Sequence, residues 1–115
     1  MATINPTAVL GGDIDVVTWE TLADDDVGAL YEPQRMRALA AAVTVTGTFG
    51  GGTVTLQGSN DATNWVTVKD IDGANVSFTS AGYAEISSSL LYLRPSTSGG
   101  SSQDVDVIIA ARGDT

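Results

Sequence analysis

The run from Leu39 to Phe49, LAAAVTVTGTF, constrains the fold more than any other stretch of the chain. Its odd positions Leu39, Ala41, Val43, Val45 and Phe49 are apolar, and Thr44, Thr46 and Thr48 occupy even ones. Successive side chains of a strand point to opposite faces, so a period of two predicts a strand with one buried face. A helix is the rival over Met36 to Ala42, because alanine favours helices. The alternation runs unbroken into Val43 and Val45, and we read the whole run as strand.

The triplet Gly50-Gly51-Gly52 supplies the positive φ angles of a tight hairpin. The expected return strand is TVTLQGS, with Val54 and Leu56 inward and Thr53, Thr55 and Gln57 outward. NDATN reads as a turn, WVTV as a third strand and DIDGAN as another turn. IDVVTWE, VSFT, YAEIS, LLYLRPS and VDVIIAAR complete the strands, and STSGGSSQ is a loop before the last. About eight short strands separated by turn residues, with no amphipathic helix, predict an all-β chain, a single antiparallel β-sandwich or jelly roll. Residues 1–13 have no clear period and read as an extended N-terminal arm, ordered only if something holds it down. Residues 14–115 form the one domain expected of 115 residues. Within it, the acidic segment Thr21 to Gln34 is the longest connection.

Composition removes whole classes of function. The chain has no His and no Cys, hence neither the usual general base at neutral pH nor a thiolate nucleophile or metal ligand. A Ser–Lys site would need Lys69, and its neighbours Asp70 and Asp72 pair with it rather than deprotonate it. No local motif supports paired carboxylates for glycoside hydrolysis. We expect no enzymatic activity and no cofactor. The net charge is −9, from 14 acids and 5 bases, and the bases Arg35, Arg37, Lys69, Arg94 and Arg112 are scattered. That opposes binding to nucleic acid and to anionic membranes. No segment approaches the ~20 apolar residues of a membrane span, and the N-terminus has no signal-peptide pattern.

Several motifs have a plain reading beside a functional one. The acidic groups Asp13 with Asp15, Asp24-Asp25-Asp26, Asp70 with Asp72 and Asp104 with Asp106 could offer oxygen ligands to Ca²⁺. DIDGAN lacks the spacing of a calcium loop, and Asp and Asn ordinarily bond to their own turn backbone. Arg112-Gly113-Asp114 spells an adhesion tripeptide and Asn75-Val76-Ser77 a glycosylation acceptor; both read as chance matches. The stretch TLQGSNDATNWVTV supports two accounts. In the structural one, Gly58 bends the strand, Asn60 and Asp61 brace a turn, and Trp65 folds back as a lid over the sandwich edge. In the functional one, Trp65 is a stacking platform for a glycan, flanked by Asn60, Asp61 and Asn64. We take the structural account.

The same hairpin resembles that of discoidin-type carbohydrate- and lipid-binding domains. A longer likeness runs from about Arg37 to Arg112. There, VTVTGTFGGGTVTLQGSNDATNWVTVKD, FTSAGYAEI and YLRPSTSGGSSQDVDVIIAAR resemble small structural proteins of tailed bacteriophages, of the head decoration or cement type. The resemblance implies a β-sandwich or jelly roll made in the host cytoplasm, which coats the outer surface of a capsid and stabilises the shell. Its partners would be the major capsid protein and further copies of itself, as a homotrimer at a three-fold site. We expect the arm and the acidic segment to make the contacts, through Ile4, Pro6, Val9, Leu10, Leu30 and Tyr31. The alternative is a glycan- or receptor-binding module of a tail fibre or baseplate, using Trp65 and its neighbours.

Overall fold

The computed structural model describes residues 3–11, 14–32, 39–87 and 91–113. In chain order the strands are β1 (Thr3–Ile4), β2 (Thr7–Gly11), β3 (Ile14–Leu22), β4 (Val27–Gly28), β5 (Leu39–Thr48), β6 (Thr53–Ser59), β7 (Val66–Thr67), β8 (Ser77–Phe78), β9 (Gly82–Ser87), β10 (Tyr92–Ser98) and β11 (Asp104–Gly113). One sheet has the order β1-β4-β10-β6-β7, with β8 also pairing β6; the other has the order β2-β3-β11-β5-β9. With β1 and β2 set aside, β3-β11-β5-β9 faces β4-β10-β6-(β7, β8). That is the strand order of a jelly roll, two Greek keys folded into two sheets. All pairings are antiparallel except that of β1 with β4.

The alternation of β5 holds: Ala41, Val43, Val45 and Phe49 are buried, and Val54 and Leu56 meet them from β6. The hairpin does not. Gly50 and Gly51 adopt φ of +57° and +81° as expected. Their turn, closed by Gly52 N–H donating to the Phe49 carbonyl at 2.9 Å, carries the chain from one sheet to the other. β5 pairs with β11 and β9, and β6 with β10. The physical reason is burial: β5 and β6 both have an apolar face, and opposing sheets bury both faces against one core. Part of the expected rival helix, Met36 to Ala38, lies outside the described residues, and Leu39 to Ala42 is strand.

The large core aromatic is Trp19, fully buried on β3, whose Nε1–H donates to the Ala29 carbonyl at 2.9 Å. Gly28 on β4 makes room for it. A Cβ at Gly28 would lie 2.6 Å from the Trp19 ring and from Pro95 Cδ.

The N-terminal segment is extended, and both sheets hold it down. β1 lies parallel to β4 at the edge of one sheet, and β2 lies antiparallel to β3 at the edge of the other. Asn5 and Pro6 cross between them, and Ile4 packs against the core while its carbonyl accepts Ala29 N–H at 2.8 Å. The arm thus closes the β3–β4 side of the sandwich and adds one strand to each sheet. At one end of the molecule the acidic segment ties the connecting loops together. The Asp24 carboxylate accepts Ser102 N–H at 2.9 Å and Gln103 N–H at 3.0 Å, and Ser101 N–H donates to the Gly50 carbonyl at 3.0 Å.

Candidate functional site

The outer face of the β10–β6 sheet is built by the alternation of its strands. Tyr92, Arg94 and Ser96 of β10 share that face with Gln57, Thr55 and Thr53 of β6, in the registers Arg94↔Gln57, Ser96↔Thr55 and Ser98↔Thr53. Leu93, Val54 and Leu56 point the other way, into the core. Next to this face stands the turn from Ser59 to Asn64. Ser59 Oγ is buried, donates to Asp61 Oδ1 at 2.9 Å and accepts Ala62 N–H at 3.0 Å. The Asp61 carboxylate also accepts Asn64 N–H at 2.8 Å, Thr63 N–H at 2.9 Å and the Asn64 side-chain amide at 2.8 Å. The Asn64 and Thr63 amides, then the side chains of Asn64 and Ser59, hold this carboxyl well below the usual carboxylate range. Asn60 Oδ1 accepts Leu91 N–H at 3.1 Å, tying the turn to the start of β10.

Trp65 departs from the expectation of a core lid. It is half-buried on the outside of the sheet, and the Arg94 guanidinium lies 4.0 Å over its ring centroid. Arg94 Nε–H donates to Gln57 Oε1 at 2.8 Å, and burial pushes the guanidinium pKa down from its ordinary value. The structure therefore places Asn60, Asp61, Asn64 and Trp65 in one turn region, with Asp61 committed to Asn64, Thr63 and Ser59, Asn60 Oδ1 to Leu91, and one face of the Trp65 ring covered by Arg94. Arg94 and Tyr92 were missed in the sequence. The available signal was their phase: both fall on even positions of a strand whose odd positions Leu93 and Pro95 are buried.

The expected contact residues separate. Tyr31 is buried, its hydroxyl donating to the buried Asp15 carboxylate at 2.8 Å, so it belongs to the core and not to a contact surface. Its apolar ring is drawn inward because Asp15 supplies a partner for the hydroxyl. Ile4 and Pro6 are half-buried, since β1 and the crossing pack against the sandwich. Val9 and Leu30 are exposed, and the Leu10 side chain lies outside the described part. In the DIDGAN turn, Asp70 Oδ1 accepts the N–H groups of Asp72 and Ala74, both at 2.9 Å. Among the described residues no group of three or more acidic side chains could hold a metal ion. Arg112 and Gly113 are paired in β11 opposite Ala40 and Leu39, and Asp114 lies outside the described residues.

No family model matches the chain, and no curated protein matches it. Solved structures match it in fold. The SPBc2 prophage-derived protein YomS is 11% identical, with a TM-score of 0.65, covering 90% of this chain and 98% of its own. Peruvianin-I, a cysteine peptidase from Thevetia peruviana latex, is 11% identical with a TM-score of 0.53, over 96% of this chain and 63% of its own. A cupin domain from Bordetella pertussis is 12% identical with a TM-score of 0.48, over 94% of this chain and 92% of its own. What the first two share with this chain is the two-sheet architecture, and an architecture does not carry a chemistry with it.

Proposed function

We propose that the protein is a non-enzymatic structural component of a tailed-phage particle, bound to the outside of the capsid shell and stabilising it. The observation that carries this reading is the closed build of the sandwich. The N-terminal strands cap its β3–β4 side, Asp24 joins its loops at one end, and its outer sheet faces are broad and rich in Thr. Such a body suits a brick that contributes buried area across shell subunits. The stretch from Arg37 to Arg112 that resembles phage decoration proteins supports the setting, and the SPBc2 neighbour comes from a prophage. The partners in this reading are the major capsid protein and two further copies of the chain, in a trimer at a three-fold position. Val9 and Leu30 are open to such contacts. Particles stripped of the protein should release DNA at a lower temperature than intact ones and recover on adding it back. Identical release temperatures with and without the protein would refute the role.

A further inference from the structure

Among the described residues Arg94 meets no acid, on a chain that has 14. Its contacts are the Nε–H bond to Gln57 and the stacking on Trp65, and among the described residues no carboxylate takes its Nη groups. The other cation whose side chain is described, Lys69, gives its Nζ to the side chain of Asn75. No outward residue of β6 or β10 is an Asp or Glu: the strands present Thr53, Thr55, Gln57, Tyr92, Arg94 and Ser96. The outward residues of β6 and β10 on this strongly acidic chain therefore carry no acid and one half-buried guanidinium, which lies 4.0 Å over the Trp65 ring centroid. A planar guanidinium held in one orientation has already lost much of the entropy that a bidentate bond costs.

We infer that the Nη edge of Arg94 binds a carboxylate, and that the occupant is an Asp or Glu side chain of a partner protein seated on the β10–β6 face. Trp65, Tyr92 and Arg94 are of the three residue types that dominate binding energy at protein interfaces. Tyr92 and Arg94 stand two residues apart on one strand, about 7 Å, so one partner segment spans both. A carboxylate would restore to Arg94 the compensation that partial burial removed, through paired charge-assisted bonds. A sugar acid fits less well, because Arg94 covers one face of the ring on which it would stack and the Asp61 carboxylate is committed to its own turn. The inference deepens the proposed function and rests on it only for the identity of the partner, the shell protein.

The test has two arms. In the first, the Arg94 Nε–H and Trp65 Nε1–H signals are followed by NMR on the full chain during titration with sodium propionate, the side-chain analogue. Sodium chloride at equal ionic strength is the control, and sodium glucuronate is the third titrant. The expected result is a saturable shift of both signals with propionate, absent in chloride and lost in Arg94→Gln, whose remaining amide spectrum verifies the fold. Equal shifts in chloride, or none that saturate, overturn the site. Glucuronate binding more than ~10-fold tighter than propionate overturns the protein occupant. In the second arm, Arg94→Glu should weaken binding to stripped particles at least ~10-fold, as loss of a central anchor does. Unchanged binding removes this face from the contact. If the wild-type chain itself fails to bind particles, the shell reading falls, and the propionate titration still decides the carboxylate site.

Discussion

Trp19 and Trp65 show how far one residue type can differ in consequence. Trp19 is enclosed by the core and satisfies its indole N–H with the Ala29 carbonyl, whereas Trp65 lies on the surface beneath Arg94. Trp19→Ala should cost about 3–5 kcal/mol of stability. Trp65→Ala should cost about 1 kcal/mol, the scale of an exposed cation–π contact. Urea unfolding of both variants checks the order, and equal costs would contradict it. The identity of the core tryptophan was obscured in the sequence. Trp19 shares its strand phase with Val17, which points inward, but also with Asp15, which looks like a solvent residue. Asp15 is buried because Tyr31, distant in sequence, supplies its hydroxyl. At the turn, Asp61 was legible as a brace, since Asn and Asp in a loop bond to nearby backbone. Its folded-state pKa is depressed by the Asn64 and Thr63 amides. Its contribution to stability is therefore complete above the unfolded carboxylate pKa of about 4 and declines as pH falls below that. Between pH 7 and pH 3 the wild type should lose more stability than Asp61→Asn; equal losses by urea unfolding would show the bonds contribute nothing.

Elements were easier to find than their partners. The inward positions of β5 and β6 could be read from alternation, because a half-buried strand requires it. Which sheet each strand joins could not be read, because a glycine turn fixes the local reversal and not the neighbour beyond it. Gly50 to Gly52 were therefore expected to close a hairpin and in fact bridge two sheets. The arm was legible as extended, but its anchorage on β3 and β4 depends on register over long separations. Deleting residues 1–11 would uncover the β3 and β4 edges and remove Ile4 from the core. The truncated chain should unfold at lower urea concentration and associate more readily than the full chain, as bare strand edges do. A truncated chain that stays monomeric by light scattering, with an unchanged urea midpoint, would show that the capping strands contribute little. Asp24→Ala should cost about 1–2 kcal/mol by removing a charged acceptor from two amides. Hydrogen exchange at Ser102 and Gln103 should accelerate selectively, and uniform exchange rates would count against that role.

At the scale of the whole molecule, charge and shape divide the surface. The chain carries a net charge of −9, while the outward residues of β6 and β10 include no acid. On the opposite sheet, the outer face presents Val16, Ile108, Ala110 and Ala42 beside Thr18, Thr44 and Thr46 and the acids Asp106 and Glu85, and the exposed Tyr83 stands at its β9 edge. The alternation within each strand was visible along the sequence, but which strands share a face was not, because those residues lie far apart and converge only through the jelly-roll order. The capping of the β3–β4 side by β1 and β2 is likewise a property of the fold rather than of any motif. The most direct test of the shell reading is the copy number of the protein in purified particles of its source virus, by quantitative mass spectrometry. The account predicts hundreds of copies, rising in proportion to the major capsid protein as three-fold decoration requires. A handful of copies per particle, or none, would contradict it.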